Sequence, residues 1–153
     1  LNAADLYAPP REAAVIDIGS NSVRMVLYRL EGRAIWTVFN EKVLAGLGRD
    51  LPATRKLSPG GVELAMIALR RFAAVLEGVR PAYTFVAATA AVREAIDGPA
   101  FCDRVVAETG LRVRILSGEE EAMYAALGVM AGDPSAEGLA ADMGGSSLEL
   151  IRI

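Results

Sequence analysis

The chain contains no histidine, one cysteine and one tryptophan among its 153 residues. Without histidine there is no Ser-His-Asp or Cys-His nucleophile, no histidine zinc site and no phosphohistidine within this chain. The single Cys102 has no partner for an internal disulfide and no histidine to activate it, so it reads as a buried core thiol. Long apolar runs are missing too: no stretch approaches the roughly 18 uninterrupted residues of a membrane span. The start, Leu1 to Glu12, lacks the basic and apolar regions of a signal peptide. Together these absences predict a cytoplasmic protein with no membrane partner. A net charge of −3 argues against broad capture of nucleic acid. The chemistry left open uses carboxylates, hydroxyls, arginines and a hard metal.

What is present is a folded chain of one-domain length, with 53% hydrophobic and 23% charged residues. Two of its segments read as the same object. An apolar strand ends in Asp17-Ile18-Gly19, a turn of Ser20-Asn21-Ser22 follows, and an apolar strand leaves from Val23. Later, Leu139-Ala140-Ala141 leads to Asp142-Met143-Gly144, then Gly145-Ser146-Ser147, and a strand leaves from Leu148. The offset is constant, since 142 − 17 and 144 − 19 both equal 125. Small residues let backbone N–H groups approach an anion, serine hydroxyls add donors, and a carboxylate at the strand end can hold a divalent cation. Either segment alone could be a hairpin turn rich in turn residues. Two in register suggest a cleft that grips a phosphate chain from both sides.

Between them the periodicity predicts an extended leader over residues 1–12, then strands at Ala13–Ile18, Val23–Leu30 and Ala34–Leu44, with Glu31-Gly32-Arg33 as a hairpin turn. Residues 46–56 read as a loop. A helix starts at Ser58-Pro59 and runs to about Leu76, placing Ala65, Ala68, Leu69, Phe72 and Leu76 on one face. A strand at Tyr83–Ala88, a short helix from Thr89, a helix at Pro99–Thr109, a strand at Arg112–Leu116 and a helix from Ser117 to about Met130 complete the series. The order β-β-β-α-β-α-β-α is that of an RNase H-like, actin-like ATPase lobe: an α/β fold with a mixed five-stranded sheet and flanking helices. The expected division is one lobe at 13–131, a linker at 132–137, and the first hairpin of a second similar lobe at 138–153. Two strands alone are marginal, and the sequence breaks off in mid-strand at Ile153, so a truncated second lobe is the expectation.

Three further residues carry two readings each. Ser117 and Glu120 fit the capping box S-x-x-E, and Glu119 and Glu121 lie in the positive end of the same helix dipole. Glu121 is therefore either a helix-stabilising acid or a catalytic one. Arg93 is either a surface cation or a phosphate ligand, and Thr89 before it either a helix N-cap or part of the same site.

Taken together, Asp17–Ser22, Thr89-Ala90-Ala91-Val92-Arg93, Ser117-Gly118-Glu119-Glu120-Glu121-Ala122 and Asp142–Glu149 resemble the exopolyphosphatase/guanosine pentaphosphate phosphohydrolase family, within the actin, sugar kinase and Hsp70 superfamily. Its patterns are Asp-x-Gly-Ser-Asn-Ser, Thr-x-x-x-Arg, Ser-Gly-x-Glu-Glu-Ala and Asp-x-Gly-Gly-Gly-Ser-x-Glu. The resemblance implies a hydrolase that releases orthophosphate from inorganic polyphosphate or guanosine pentaphosphate with magnesium, and a homodimer for the full-length protein. It implies phosphate contacts from Gly19, Ser20, Asn21, Ser22, Arg93, Gly144, Gly145, Ser146 and Ser147, metal ligation by Asp17, Asp142 and Glu149, and deprotonation of water by Glu121. The third glycine of the second loop is Ser146 here, and its Cβ restricts backbone approach to phosphate. The rival readings are a non-catalytic sensor of polyphosphate or an alarmone, and an actin-like nucleotide-binding subunit.

Overall fold

The computed structural model describes residues 11–32 and 34–153. Three long strands open the fold: β1 (Arg11–Ile18), β2 (Ser22–Glu31) and β3 (Ala34–Leu44). They form an antiparallel meander, with Ile16 opposite Met25 and Val23 opposite Val43. The strand β1 then pairs in parallel with β4 (Tyr83–Ala88), and β4 with the short β5 (Arg114–Ile115). The spatial order β3-β2-β1-β4-β5 is a mixed five-stranded sheet with β1 at its centre. Parallel neighbours need crossover connections, and helices supply them. These are α1 (Leu51–Thr54) and α2 (Pro59–Val79) before β4, and α3 (Ala90–Glu94) and α4 (Gly98–Thr109) before β5. A last helix, α5 (Gly118–Gly132), leads to a separate two-stranded sheet of β6 (Leu139–Met143) and β7 (Leu148–Arg152).

Strand alternation explains where the core lies. Ala14, Ile16 and Ile18 of β1 point to one face, beside Val23, Met25 and Leu27 of β2 and Val86 and Ala88 of β4, and all are buried. The expected face of α2 lies on them: Ala65, Ala68, Leu69, Phe72 and Leu76 are buried, with Phe101 and Val105 of α4 in the same core. Outside, Arg104 joins Glu63 of α2 to Glu108 of its own helix at 2.6 and 2.7 Å. Because β1 is packed on its core face and paired on both edges, its C-terminal Asp17 has little freedom to move. That is the structural basis of the first loop.

Several boundaries differ from the sequence reading. The first strand begins at Arg11, so Arg11 and Glu12 belong to β1, where their partners Leu30 and Arg29 on β2 hold them; the rest of the leader lies outside the described residues, as does Arg33 of the expected turn. The 46–56 loop contains the helical turn α1, for which the sequence offers only Pro52 as a signal. The fifth strand is two residues long, since only Arg114 and Ile115 find partners on β4. The helices α2 and α5 run on to Val79 and Gly132. Cys102 is half-buried at the edge of the core rather than within it. No helix among the described residues is long and apolar enough to cross a membrane.

The two faces of α2 make opposite predictions. Phe72→Ala empties a fully buried site and should cost about 3–5 kcal/mol, whereas Leu64→Ala, on the solvent side of the same helix, should fall within about 0.5 kcal/mol. Urea unfolding of the chain checks both, and equal costs would mean that the helix is rotated.

Candidate functional site

The two repeated segments fold alike, down to single hydrogen bonds. In the first loop the Gly19 amide donates to the Ser22 carbonyl at 2.9 Å; in the second, the Gly144 amide donates to the Ser147 carbonyl at 2.9 Å. Each bond closes a tight turn directly after the aspartate strand. Among the described residues, the amides of Ser20 and Asn21, and of Gly145 and Ser146, meet no protein acceptor. Successive unpaired N–H groups in a turn form an anion-binding concavity.

The first loop is braced from outside. The Asn21 carbonyl accepts from the amides of Ala45 and Gly46 at 3.0 and 2.9 Å, and the Ser20 carbonyl accepts from Gly48 at 2.8 Å. Position 48 favours glycine: a Cβ on Gly48 would stand 3.1 Å from the Cβ of Ser20 and 3.3 Å from that of Ala91, a tight fit to which its neighbours would have to yield. These bonds turn the loop's carbonyls away and leave its amides to the cleft. The only local signal for Gly48 in the sequence is a glycine-rich segment directly after a strand.

The loops meet each other. Ser20 Oγ and Ser146 Oγ are hydrogen-bonded at 2.5 Å, and a Cβ on Gly145 would stand 3.2 Å from that of Ser20. The hydroxyl of Ser146 thus faces the first loop. Ser22 opens β2, where it pairs with Leu44.

The carboxylates gather on the same side. Asp17 is exposed at the cleft mouth, yet crowding by surrounding protein thins its hydration and pushes its pKa up; the negative charges of Glu121 and Asp142 push it further. Arg24 and Lys42 oppose that rise. Arg24 lies directly across from Asp17 on β2, and Lys42 across from Arg24 on β3. The repeat changes sign here. Position 149, which corresponds to Arg24 at the offset of 125, is Glu149, set directly opposite Asp142. Like charges facing across an antiparallel pair are destabilising unless something else uses them.

Glu121 is fixed by its neighbours. The capping box at the start of α5 is complete: Ser117 Oγ accepts from the Glu120 amide at 3.1 Å, and Glu120 Oε2 accepts from the Ser117 amide at 3.0 Å. Glu120 is thereby spent on the helix, and Glu121 is not. Its Oε2 instead accepts from Arg93 Nη1 at 2.9 Å, and its side chain is only 12% exposed. The same nitrogen of Arg93 also donates to the Leu116 carbonyl at 2.9 Å, so one cation ties α3 to the start of α5. Thr89 occupies the N-cap position of α3 without making a side-chain cap bond.

Whether a divalent cation fits can be judged from the donors. Among the described residues no three acidic side chains close into a full ligand cage. Glu149 Oε2, however, is buried with no hydrogen-bond partner, and it sits across from Asp142. Oxygen donors in ones and twos, at the mouth of an amide-lined cleft, suit magnesium, which keeps several waters and binds through one or two carboxylates and the phosphate oxygens of its substrate.

Comparison with known proteins gives a consistent result. A profile of the Ppx/GppA phosphatase family matches residues 25–153. The chain is similar to the Aquifex aeolicus PPX-GPPA enzyme, with 28% identity and a TM-score of 0.86 over 95% of this chain and 49% of that one. It is similar to an exopolyphosphatase-like protein, with 29% identity and a TM-score of 0.86 over 95% and 46%. A third match is an exopolyphosphatase from Cytophaga hutchinsonii, with 26% identity and a TM-score of 0.86 over 93% and 46%. The chain thus spans about half the length of the structures it matches.

Crowding of Asp17 has a measurable sign. Folding raises its pKa, so its ionised form costs stability above that pKa and the cost is relieved as pH falls through it. Asp17→Asn should therefore melt above the wild type at pH 7, and the gap should close as the pH is lowered into the ordinary carboxylate range. A variant that melts lower at pH 7 in thermal scans would contradict the crowding.

Proposed function

The chain belongs to the Ppx/GppA phosphatase family, and from that premise we propose that it supplies the phosphate grip and general base of a phosphoanhydride hydrolase acting on inorganic polyphosphate or guanosine pentaphosphate. The observation that carries this reading is the pairing of the loops, which brings two sets of unpaired amides to one place. A single phosphate needs one such loop; a chain of phosphates uses both. Because the matched structures are about twice as long, we assign the described residues up to α5 to one lobe and residues 138–153 to the opening of a second.

In this mechanism the loop amides take the developing negative charge of the terminal phosphoryl group, without reorganisation at the moment of reaction. Asp17, Asp142 and Glu149, one or two of them directly and the rest through the ion's waters, would hold a magnesium ion, which when bound would neutralise charge on the phosphate oxygens. Glu121 is the base. Arg93 holds its Oε2, and Oε1, which meets no protein donor among the described residues, accepts the proton of the attacking water. The water oxygen joins the terminal phosphorus, the bridging P–O bond breaks, and the bridging oxygen leaves with the shortened chain. The remaining N–H groups of Arg93 stay available to a phosphate oxygen. A sensor or an actin-like subunit would need the loops but not a clamped carboxylate, so the Arg93–Glu121 pair supports hydrolysis over either.

In a protein extended to two complete lobes, Glu121→Gln should lower magnesium-dependent orthophosphate release from polyphosphate by about 10²–10⁴-fold and leave tripolyphosphate affinity within about twofold. The 153-residue chain alone should bind tripolyphosphate and turn it over slowly or not at all. Undiminished release by the Gln variant would remove Glu121 from the chemistry.

A further inference from the structure

The contact between the loops is asymmetric. Ser20 is held from behind by Gly48, through the hydrogen bond to its carbonyl and by close packing, since a Cβ at Gly48 would stand 3.1 Å from that of Ser20. The second loop, on a hairpin of only two strands, shows no comparable brace among the described residues; its own closing bond runs within the turn. If the cleft opens, it is the second loop that moves.

We propose that Ser146 is a latch: its hydroxyl holds the cleft shut on Ser20, and a condensed phosphate must displace that bond to reach the amides of both loops, so Ser146 sets the affinity for short phosphate chains. The inference rests on the reading of the two loops as one phosphate grip. At 2.5 Å the two hydroxyl oxygens are in direct contact, so no phosphate oxygen, which needs about 2.7 Å to a hydroxyl donor, can pass between the loops at this point while the bond holds. The donors that remain for phosphate on the second loop are the amides of Gly145 and Ser146, and these do not depend on the Ser146 side chain. Loss of the hydroxyl therefore removes the obstacle and keeps the grip. The contact is reached by solvent, so its weight is that of one ordinary hydrogen bond, about two- to tenfold in apparent affinity.

The test combines two measurements on the 153-residue chain. Calorimetric titration with magnesium tripolyphosphate should show Ser146→Ala binding about two- to tenfold more tightly than the wild type. Without ligand, the melting temperatures of Ser20→Ala, Ser146→Ala and the double variant should be non-additive, the double variant melting no lower than the weaker single one. Equal or weaker binding by Ser146→Ala, with the wild type binding normally, overturns the latch and leaves the phosphate reading intact. Additive melting losses overturn it as well, since the hydroxyls then do not act as a pair. If neither protein binds tripolyphosphate while the melting losses remain coupled, the contact is real but the phosphate reading fails, and Ser146 as a determinant of affinity falls with it.

Discussion

Everything at the cleft depends on holding acidic groups closer together than they would settle in water. Asp17, Glu121 and Asp142 come from a strand end, a helix start and a second strand end, and the charges of the last two act on Asp17. The fold bears this because the backbone behind each is fixed for another reason. Ile16 and Ile18 anchor β1 in the core, the Ser117–Glu120 box anchors α5, and pairing with β7 anchors β6. Arg93, Arg24 and Lys42 compensate part of the repulsion without removing it. The shortfall of positive charge is what the magnesium ion proposed for this site would make good.

The two hairpins show how one local design is put to two uses. Both end a strand in Asp-x-Gly, both close the turn with an amide-to-carbonyl bond three residues on, and both leave two amides unpaired. They differ in what surrounds them. The first is built into a five-stranded sheet and braced by Ala45, Gly46 and Gly48, whereas the second rests on a two-stranded sheet against α5. One loop is thus more heavily braced than the other, although both present the same pair of unpaired amides.

Much of this was legible in the sequence, for identifiable reasons. The strands Ala34–Leu44 and Tyr83–Ala88 were readable because β-branched and aromatic residues bounded by turn or loop signals give an unmistakable local pattern. The buried face of α2 followed from its 3.6-residue period, and the capping box from a four-residue spacing. The parts that stayed hidden are those fixed at long range. The bulge between Leu27 and Tyr28, which decides that Lys42 stands beside Arg24, depends on pairing that no local window contains. The bracing role of Gly48 depends on Ser20 and Ala91 arriving on either side of it. That Arg93 pairs with Glu121, 28 residues away, required the parallel neighbours β4 and β5 to bring α3 and α5 to the same end of the sheet. The pairing of Asp17 with Arg24 was within reach, because a tight turn between Ile18 and Val23 fixes the register by counting.

The central claim is that the two loops form one binding site for one condensed phosphate. It is tested most directly by following the amide resonances of Gly19–Ser22 and Gly144–Ser147 by NMR while magnesium tripolyphosphate is added to the chain. The account predicts that both sets shift together, along a single saturation curve with one dissociation constant. Two curves with separate midpoints, or shifts confined to one loop, would contradict it.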